Sequence, residues 1–104
     1  MKKIARIAVL REFERYLASQ YGKVQKEIVF SSIMPTQRKF RADYLVQKSI
    51  IEINGGQWVN GRHNRGGTGY ETDLVKMNLA QSCGYRYYQF TYEMLLRREY
   101  KRYL

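Results

Sequence analysis

The sequence predicts an α/β fold, bordering on α+β, in which helices flank a four-stranded mixed sheet. The 104-residue chain has the order helix, three strands, loop, helix, strand and helix. A short polar turn between the second and third strands is typical of an antiparallel hairpin, and the helix before the fourth strand can cross over to make a parallel pair. A chain of this length holds about one domain, so we expect residues 1–104 to form a single unit.

The first helix is expected over residues 4–21, with Gly22 as its stop. At about 100° per residue, Glu14 falls within the arc of the apolar residues. Those residues are Ile7, Leu10, Leu17, Ala18 and Tyr21. An inward carboxylate is normally avoided unless something pairs with it, so Glu14 either meets a partner or reaches water from the edge of the arc. A short strand over residues 24–30 and a loop over 31–38 follow.

A hairpin around the polar Gln47-Lys48-Ser49 segment is the central local prediction. If the turn lies between Gln47 and Lys48, Asp43 stands opposite Glu52. Like charges directly across an antiparallel pair destabilise it, and a cation between them removes that penalty. The alternative is that the turn lies a few residues away, which would leave the two carboxylates apart on the surface.

Three further elements are expected beyond the hairpin. The glycine-rich residues 57–69 are expected to form a mobile loop, followed by a helix over 70–83, a strand over 85–90 and a basic helix over 92–103.

Lys76 falls within an apolar arc of the second helix, formed by Val75, Leu79, Ala80 and Cys83. Lys76 therefore either points inward toward an anion or packs its stem inside and extends its ammonium into water.

The charge of the chain favours a polyanionic partner. Nineteen Lys and Arg against nine Asp and Glu give a formal net charge of +10, which indicates nucleic acid, with a generically basic protein as the alternative. Long apolar stretches are lacking, so no membrane association is expected. The lone Cys83 excludes an internal disulfide, and charged residues interrupt any signal-peptide core near the start. We therefore expect a cytoplasmic protein.

The carboxylates and the loop after them indicate phosphate chemistry. Asp43 and Glu52, with water and a substrate phosphate, would give the oxygen shell that Mg²⁺ prefers. Arg62 and Arg65 have the fork geometry that matches phosphate oxygens, and His63 can donate to a phosphate or transfer a proton near neutral pH. The alternative for this segment is an ordinary basic surface loop.

These residues also carry a resemblance to a known family. Asp43 followed by Glu52-Ile53-Asn54 resembles the PD-(D/E)XK nuclease superfamily, whose motif is an Asp followed by Glu-x-Lys. Over about residues 38–91 the chain looks most like the small phage and prophage endonuclease-domain proteins of that superfamily, and more distantly like very-short-patch repair endonucleases. The matching segments are Arg41-Ala42-Asp43, Glu52-Ile53-Asn54-Gly55-Gly56, Gly61-Arg62-His63, Arg65-Gly66, Gly69-Tyr70-Glu71, Asp73, Lys76, Asn78, Gly84-Tyr85 and Phe90-Thr91.

The resemblance implies a restriction-endonuclease-like core and a DNA endonuclease that depends on Mg²⁺ or Mn²⁺. It also implies roles for residues of this chain: catalysis by Asp43, Glu52, Asn54 and Lys76; metal binding by Asp43, Glu52, the Ile53 carbonyl and Glu14; nucleic-acid binding by Arg41, Arg62, His63 and Arg65. Asn54 stands where the motif has a lysine, and it cannot carry positive charge or transfer a proton. Full activity therefore requires Lys76 to take over that role.

Two other functions remain open from the sequence. The chain can be a nucleic-acid-binding module whose chemistry has decayed through Asn54, or an interaction subunit that docks a larger enzyme through its last helix. RNA is not excluded as a partner, and neither is a homodimer or a larger nucleic-acid-processing complex. Metal-dependent cleavage separates the enzyme from the binding module, because both share the same basic surface.

Overall fold

A computed structural model describes the backbone of residues 1–54, 58–59, 62–63 and 66–104, with side chains for 1–54 and 69–104. The described part is a mixed α/β structure in which helices flank a four-stranded mixed sheet, as predicted. The elements in chain order are α1 (Lys3–Tyr21), β1 (Gln25–Val29), a 3₁₀ turn (Phe30–Ser32), β2 (Arg41–Val46), β3 (Ser49–Ile53), β4 (Trp58–Val59), β5 (Arg62–His63), α2 (Gly66–Ser82), β6 (Arg86–Phe90), α3 (Tyr92–Leu96) and a second 3₁₀ turn (Glu99–Arg102).

The main sheet has the strand order β1-β2-β3-β6. Strands β1, β2 and β3 pair antiparallel, and β3 pairs parallel with β6 after the chain has passed through α2. The β2–β3 register matches the predicted hairpin, with Leu45 opposite Ile50 and Tyr44 opposite Ile51. Gln47, the first turn residue, has a φ of 51°, so the short turn requires a left-handed residue there.

Two apolar clusters pack on this sheet, and adjacent strand residues alternate between them. Ile51 belongs to a cluster with α1 and the last turns, whereas Ile50 belongs to a cluster with α2 and the first 3₁₀ turn. The first cluster includes Val9, Phe13, Leu17, Tyr44, Val46, Phe90, Leu95 and Tyr100; the second includes Phe30, Met34, Leu45 and Ala80. The sheet is therefore the middle layer between helices.

The inward face of α1 differs in part from the predicted arc. Val9, Phe13 and Leu17, spaced four residues apart, are the buried residues of this helix, whereas Ile7 and Ala18 are exposed. The apolar residues are scattered around α1, so their helical phase does not determine which face is buried. The buried face is the one that carries Phe13, whose ring packs edge-on to Tyr44. Gly22 ends the helix as expected, with a φ of 80° and its N–H bonded to the Ala18 carbonyl.

Three predicted boundaries are wrong. The stretch expected to be a loop contains the β4–β5 pair, and α2 begins at Gly66 although glycine disfavours helix. The expected terminal helix over 92–103 is broken, because Arg98 adopts φ 58° and ψ 35° between α3 and the second 3₁₀ turn. This break turns Tyr100 into the core beside Leu95, so neither side chain is available for docking a partner.

The length and apolar content of a helix determine whether it can cross a lipid bilayer. A membrane-crossing helix needs about 20 predominantly apolar residues. Within residues 1–54 and 66–104, no helix combines sufficient length with sufficient apolar character to span a membrane.

Candidate functional site

Asp43, inside β2, and Glu52, near the end of β3, lie side by side, as the hairpin register predicts. The backbone ladder runs as far as the Tyr44–Ile51 pair. Beyond it the carboxylates bond to the facing backbone: the Asp43 N–H donates to Glu52 Oε2 at 3.1 Å, and the Ile53 N–H donates to Asp43 Oδ2 at 2.7 Å. Each acidic side chain thus accepts a hydrogen bond from the backbone of the strand that carries the other, and these two bonds fix the positions of both carboxylates.

Lys76 projects from α2 onto Glu52, so the inward alternative predicted for this lysine is confirmed. Its ammonium forms an ion pair with Glu52 Oε1, and the side chains are 18% and 7% exposed. Tyr87 of β6 donates its hydroxyl to the same oxygen at 3.3 Å. The cation that binds Glu52 in this structure is therefore the lysine ammonium.

Burial governs the protonation of this cluster. Desolvation raises the pKa of the Glu52 carboxyl, and the Lys76 ammonium opposes that shift by favouring the charged form. The pKa of the Tyr87 hydroxyl is raised as well, first by burial and then by the neighbouring Glu52 charge. Tyr87 therefore stays a neutral hydrogen-bond donor to Glu52.

Glu14 does find a partner on the inward side of α1. The Tyr44 hydroxyl donates to Glu14 Oε2 at 2.6 Å, and the Lys26 ammonium lies 3.5 Å from the same oxygen. Burial, reinforced by the hydrogen bond to Glu14, raises the pKa of Tyr44. A charged acceptor bound to a neutral donor explains how a carboxylate is tolerated at this position.

Asp43 and Glu14 share a cleft of about 400 Å³ between α1, β1, β2 and the end of β3. The cleft is lined by Leu10, Glu14, Lys26, Glu27, Asp43, Tyr44, Ile53 and Tyr92. Glu27, a residue of β1 in this lining, has a φ of 55° within the strand. A left-handed non-glycine residue stores strain, and such residues cluster at functional sites.

Asn54 stands where the motif has a lysine, and it is hydrogen-bonded to residues of the neighbouring strand β6. Its side-chain amide donates to Gln89 Oε1, and its backbone N–H donates to the Phe90 carbonyl at 2.8 Å. Ile53 lines the cleft beside Asp43. The motif position thus belongs to the β3–β6 junction, whereas the positive charge comes from Lys76 on α2.

The predicted phosphate-binding residues are described unevenly. Arg41 is exposed at the start of β2, opposite Val29. Arg62 and His63 form β5, where His63 stands opposite Trp58, but their side chains are outside the described part of the chain. Arg65 lies outside the described residues altogether. Their role in binding nucleic acid therefore stays a prediction.

The acidic residues fit a hard divalent cation in part. Carboxylate oxygens are the donors such an ion prefers, and Asp43 and Glu14 open onto one cleft. Glu52 fits less well, because Lys76 and Tyr87 already bind its Oε1. Among the residues with described side chains, no three His, Cys, Asp or Glu groups converge as a metal centre. Mg²⁺ commonly uses one or two carboxylates and takes its other ligands from water and substrate phosphate.

Four residues at the site escaped the sequence prediction: Tyr44, Tyr87, Lys26 and Glu27. Tyr44 directly follows Asp43 on the hairpin, but its hydroxyl reaches Glu14 of α1, and hairpin register does not specify contacts with a helix. Tyr87 meets Glu52 only through the parallel β3–β6 pairing, in which it stands opposite Ile50. The left-handed Glu27 has no signature in the amino-acid pattern, because glutamate is not a residue that favours this conformation.

Comparison of the chain with protein-family models, with curated proteins and with solved structures finds no match in any of the three. Any function of the chain must therefore be inferred from the residues and contacts described above. The resemblance to PD-(D/E)XK nucleases is a hypothesis about what those residues do.

Proposed function

We propose that the protein is a metal-dependent nuclease that hydrolyses phosphodiester bonds in DNA, built on a restriction-endonuclease-like core. The observation that carries the proposal is the interlocked Asp43–Glu52 pair on two neighbouring strands, with the Lys76 ammonium on Glu52. Two acidic groups and a lysine are the components of the superfamily motif. Here the lysine comes from α2, because Asn54 occupies its usual position.

Asp43 and Glu14 are the residues suited to hold Mg²⁺ or Mn²⁺, because both line the cleft. The Ile53 carbonyl is a third candidate oxygen, and Glu52, held by Lys76, lies beside Asp43. A divalent ion bound there would stabilise the charge of the phosphodiester and would lower the pKa of a bound water. Tyr44 keeps Glu14 oriented by its 2.6 Å hydrogen bond.

Lys76 has the second role in this proposal. Its ammonium is held by a buried carboxylate, so its position is fixed before substrate arrives. A fixed positive group beside the reacting phosphate stabilises negative charge that develops there, without reorganisation cost. Arg41, Arg62, His63 and Arg65 hold the flanking phosphates, which positions the backbone irrespective of sequence.

A second candidate function is favoured by the same contact. If the Lys76 ammonium permanently replaces a metal ion beside Glu52, the protein is a nucleic-acid-binding module whose site no longer cuts. The observation in favour is that Lys76 and Tyr87 already satisfy Glu52 Oε1. The two functions differ in one measurable property, which is cleavage in the presence of metal.

The test compares the wild type with Asp43→Asn in melting experiments with and without Mn²⁺ and in cleavage of linear, circular, nicked and branched substrates. The Asn amide oxygen can still accept the Ile53 N–H, and a like charge beside Glu52 is gone, so metal-free stability should be unchanged or higher. Metal at about 100 times its Kd should stabilise the wild type by about 2.7 kcal/mol, or roughly 10–20 °C. Asp43→Asn should lose this gain and cleave about 100-fold or more slowly.

Two glutamates on one helix provide the control. Glu14→Gln removes a carboxylate that lines the cleft, whereas Glu12→Gln removes one that is exposed and paired with Arg98. Glu14→Gln should weaken the metal response and Glu12→Gln should leave it intact. A wild type that binds DNA, gains no stability from Mn²⁺ and cuts no substrate in the panel would exclude the nuclease and leave the binding module.

A further inference from the structure

The cleft has a surface that the proposed hydrolysis does not use. Leu10 of α1, Ile53 of β3 and Tyr92 of α3 contribute apolar and aromatic lining beside the carboxylates. We call these three residues the Tyr92 surface. Tyr92 is half-buried, so its ring is anchored in the fold while part of it stays accessible in the cleft.

Arg6 packs against Tyr92 without lining the cleft. Its guanidinium lies over the Tyr92 ring, 4.8 Å from the ring centroid, and Arg6 is one helical turn before Leu10. Within the part of the chain that the structure describes, the buried Arg6 Nε has no hydrogen-bond acceptor. A buried donor without an acceptor is uncommon in folded proteins. The Tyr92 ring thus has a guanidinium against it that lacks its full set of acceptors.

The cleft chemistry selects the part of a nucleic acid that fits. Glu14, Glu27 and Asp43 line the same space, so a bare phosphate inside it meets like charges unless a cation intervenes. A nucleobase carries no charge and presents a flat π-face to an aromatic ring. The volume of about 400 Å³ lies in the range of pockets that enclose small organic groups.

We propose that the Tyr92 surface binds an unstacked nucleobase next to the phosphate at Asp43, so that single-stranded or locally unpaired nucleic acid is preferred over duplex. This inference rests on the proposed function and adds its substrate class. In a duplex both faces of a base are covered by neighbours, so a base reaches an aromatic ring in a cleft only after unstacking. A single strand pays little of that cost.

The test measures binding of one fluorescent oligonucleotide, single-stranded and as its duplex, without divalent metal and over a range of salt concentrations. Tyr92→Leu keeps apolar bulk and removes the ring, and should weaken single-strand affinity about 5- to 100-fold. The slope of log affinity against log salt should not change, because no phosphate contact is lost. Tyr92→Phe and Tyr92→Trp keep a π-face and should retain the affinity.

Tyr103→Leu is the matched control, since Tyr103 is 56% exposed and does not line the cleft. It should change neither affinity. The inference is overturned if Tyr92→Leu leaves single-strand affinity intact, or if it weakens single strand and duplex equally. Far-ultraviolet circular dichroism checks that each variant is folded. If Tyr92→Leu is misfolded, Tyr92→Trp is compared with the wild type instead, and it must bind single strand at least as tightly as the wild type does.

Cleavage with Mn²⁺ is measured separately to keep the two proposals distinct. Cleavage together with Tyr92 variants that bind like wild type keeps the nuclease and rejects the nucleobase surface. Selective loss of single-strand binding without any wild-type cleavage keeps the surface and rejects the nuclease. A wild type that binds neither nucleic acid rejects both.

Discussion

A lysine and a glutamate that share a buried site make each other's charge tolerable. Glu52 is 7% exposed and Lys76 18% exposed, so neither can rely on water for solvation. Removal of one partner from such a pair costs about 3 kcal/mol, because the other charge stays buried without compensation. The residue that we assign to catalysis therefore also supports the fold.

We expect Lys76→Met to lower the free energy of unfolding by about 3 kcal/mol at neutral pH, measured by urea denaturation. In Lys76→Met/Glu52→Gln no charge remains, so the double variant should lose less than the sum of the single losses. Lys26→Met is the control, since Lys26 is 59% exposed in its pair with Glu14, and this pair should contribute less than about 1 kcal/mol. Additive single losses would show that Lys76 and Glu52 are not coupled.

The same pair gives a pH dependence with a definite sign. Burial raises the folded-state pKa of Glu52, so the folded protein binds this proton more tightly than the unfolded chain does. The stability from protonated Glu52 is fully present below its ordinary pKa and is lost as pH rises through the raised value. Without Lys76 the pKa rises further, so the deficit of Lys76→Met relative to wild type should be small at acid pH and grow toward neutrality. A deficit independent of pH would contradict this.

The sequence predicted the Asp43–Glu52 pair and gave the inward direction as one of two alternatives for Lys76, since hairpin register and helical phase are both local. It did not predict Tyr87 as a partner of Glu52, because that contact depends on the parallel pairing of strands far apart in the chain. Glu14 was predicted to lie within the apolar arc, either paired or reaching water, but its partner Tyr44 was not predicted, for the same reason of distance. Local periodicity specifies which way a side chain points and not what it meets.

At the scale of elements, the β2–β3 turn is under conformational strain. Gln47 has a φ of 51°, and an L-residue in this region costs about 1–2 kcal/mol, whereas glycine adopts it freely. Gln47→Gly should therefore raise the free energy of unfolding by about 0.5 kcal/mol, once the entropy of glycine in the unfolded chain is subtracted.

Lys48→Gly is the matched control for this substitution. Lys48 does not have a positive φ, and its ammonium lies 3.8 Å from the centroid of the Tyr85 ring. Glycine at position 48 should therefore destabilise the protein through backbone entropy and the lost cation–π contact. Thermal melting of both variants measures the difference, and a loss of stability in Gln47→Gly would show that the turn is not strained.

Element boundaries were predictable where the chain has a local stop and unpredictable where tertiary packing decides. Gly22 ends α1 and the polar turn separates β2 from β3, and both follow from residue type. The break at Arg98 does not, since arginine rarely adopts a left-handed conformation. Burial of Tyr100 between Phe13 and Tyr16 offsets that strain, and no pattern in the last residues signals it.

At the scale of the whole molecule, a net charge of +10 surrounds a cleft lined by Glu14, Glu27 and Asp43. A polyanion is attracted to the surface in general and repelled from the carboxylates in particular. The phosphates of a bound strand therefore settle around the cleft first. Affinity should then be largely independent of sequence and strongly dependent on salt.

Substitution of Arg62 and Arg65 together by Gln should flatten the slope of log affinity against log salt on duplex DNA by up to about 1.8, at about 0.9 for each lost phosphate contact. The control removes the same charge elsewhere, by substituting the exposed Arg97 and Arg102 with Gln. Fluorescence anisotropy at several salt concentrations measures the slopes. An equal change in both double variants would mean that net charge, and not the Arg62–Arg65 segment, determines binding.

The antiparallel β2–β3 pairing also limits how this protein can evolve. Successive strand residues face opposite sides of the sheet, so a single codon inserted between Gln47 and Lys48 would turn Glu52 away from Lys76 and present Ile51 in its place. Two inserted codons would return Glu52 to the side of the sheet that faces α2, but Glu52 would then lie beyond Asp43 and not opposite it. Natural variation in chain length should therefore accumulate elsewhere, and this turn should keep its length for as long as the acidic pair is under selection.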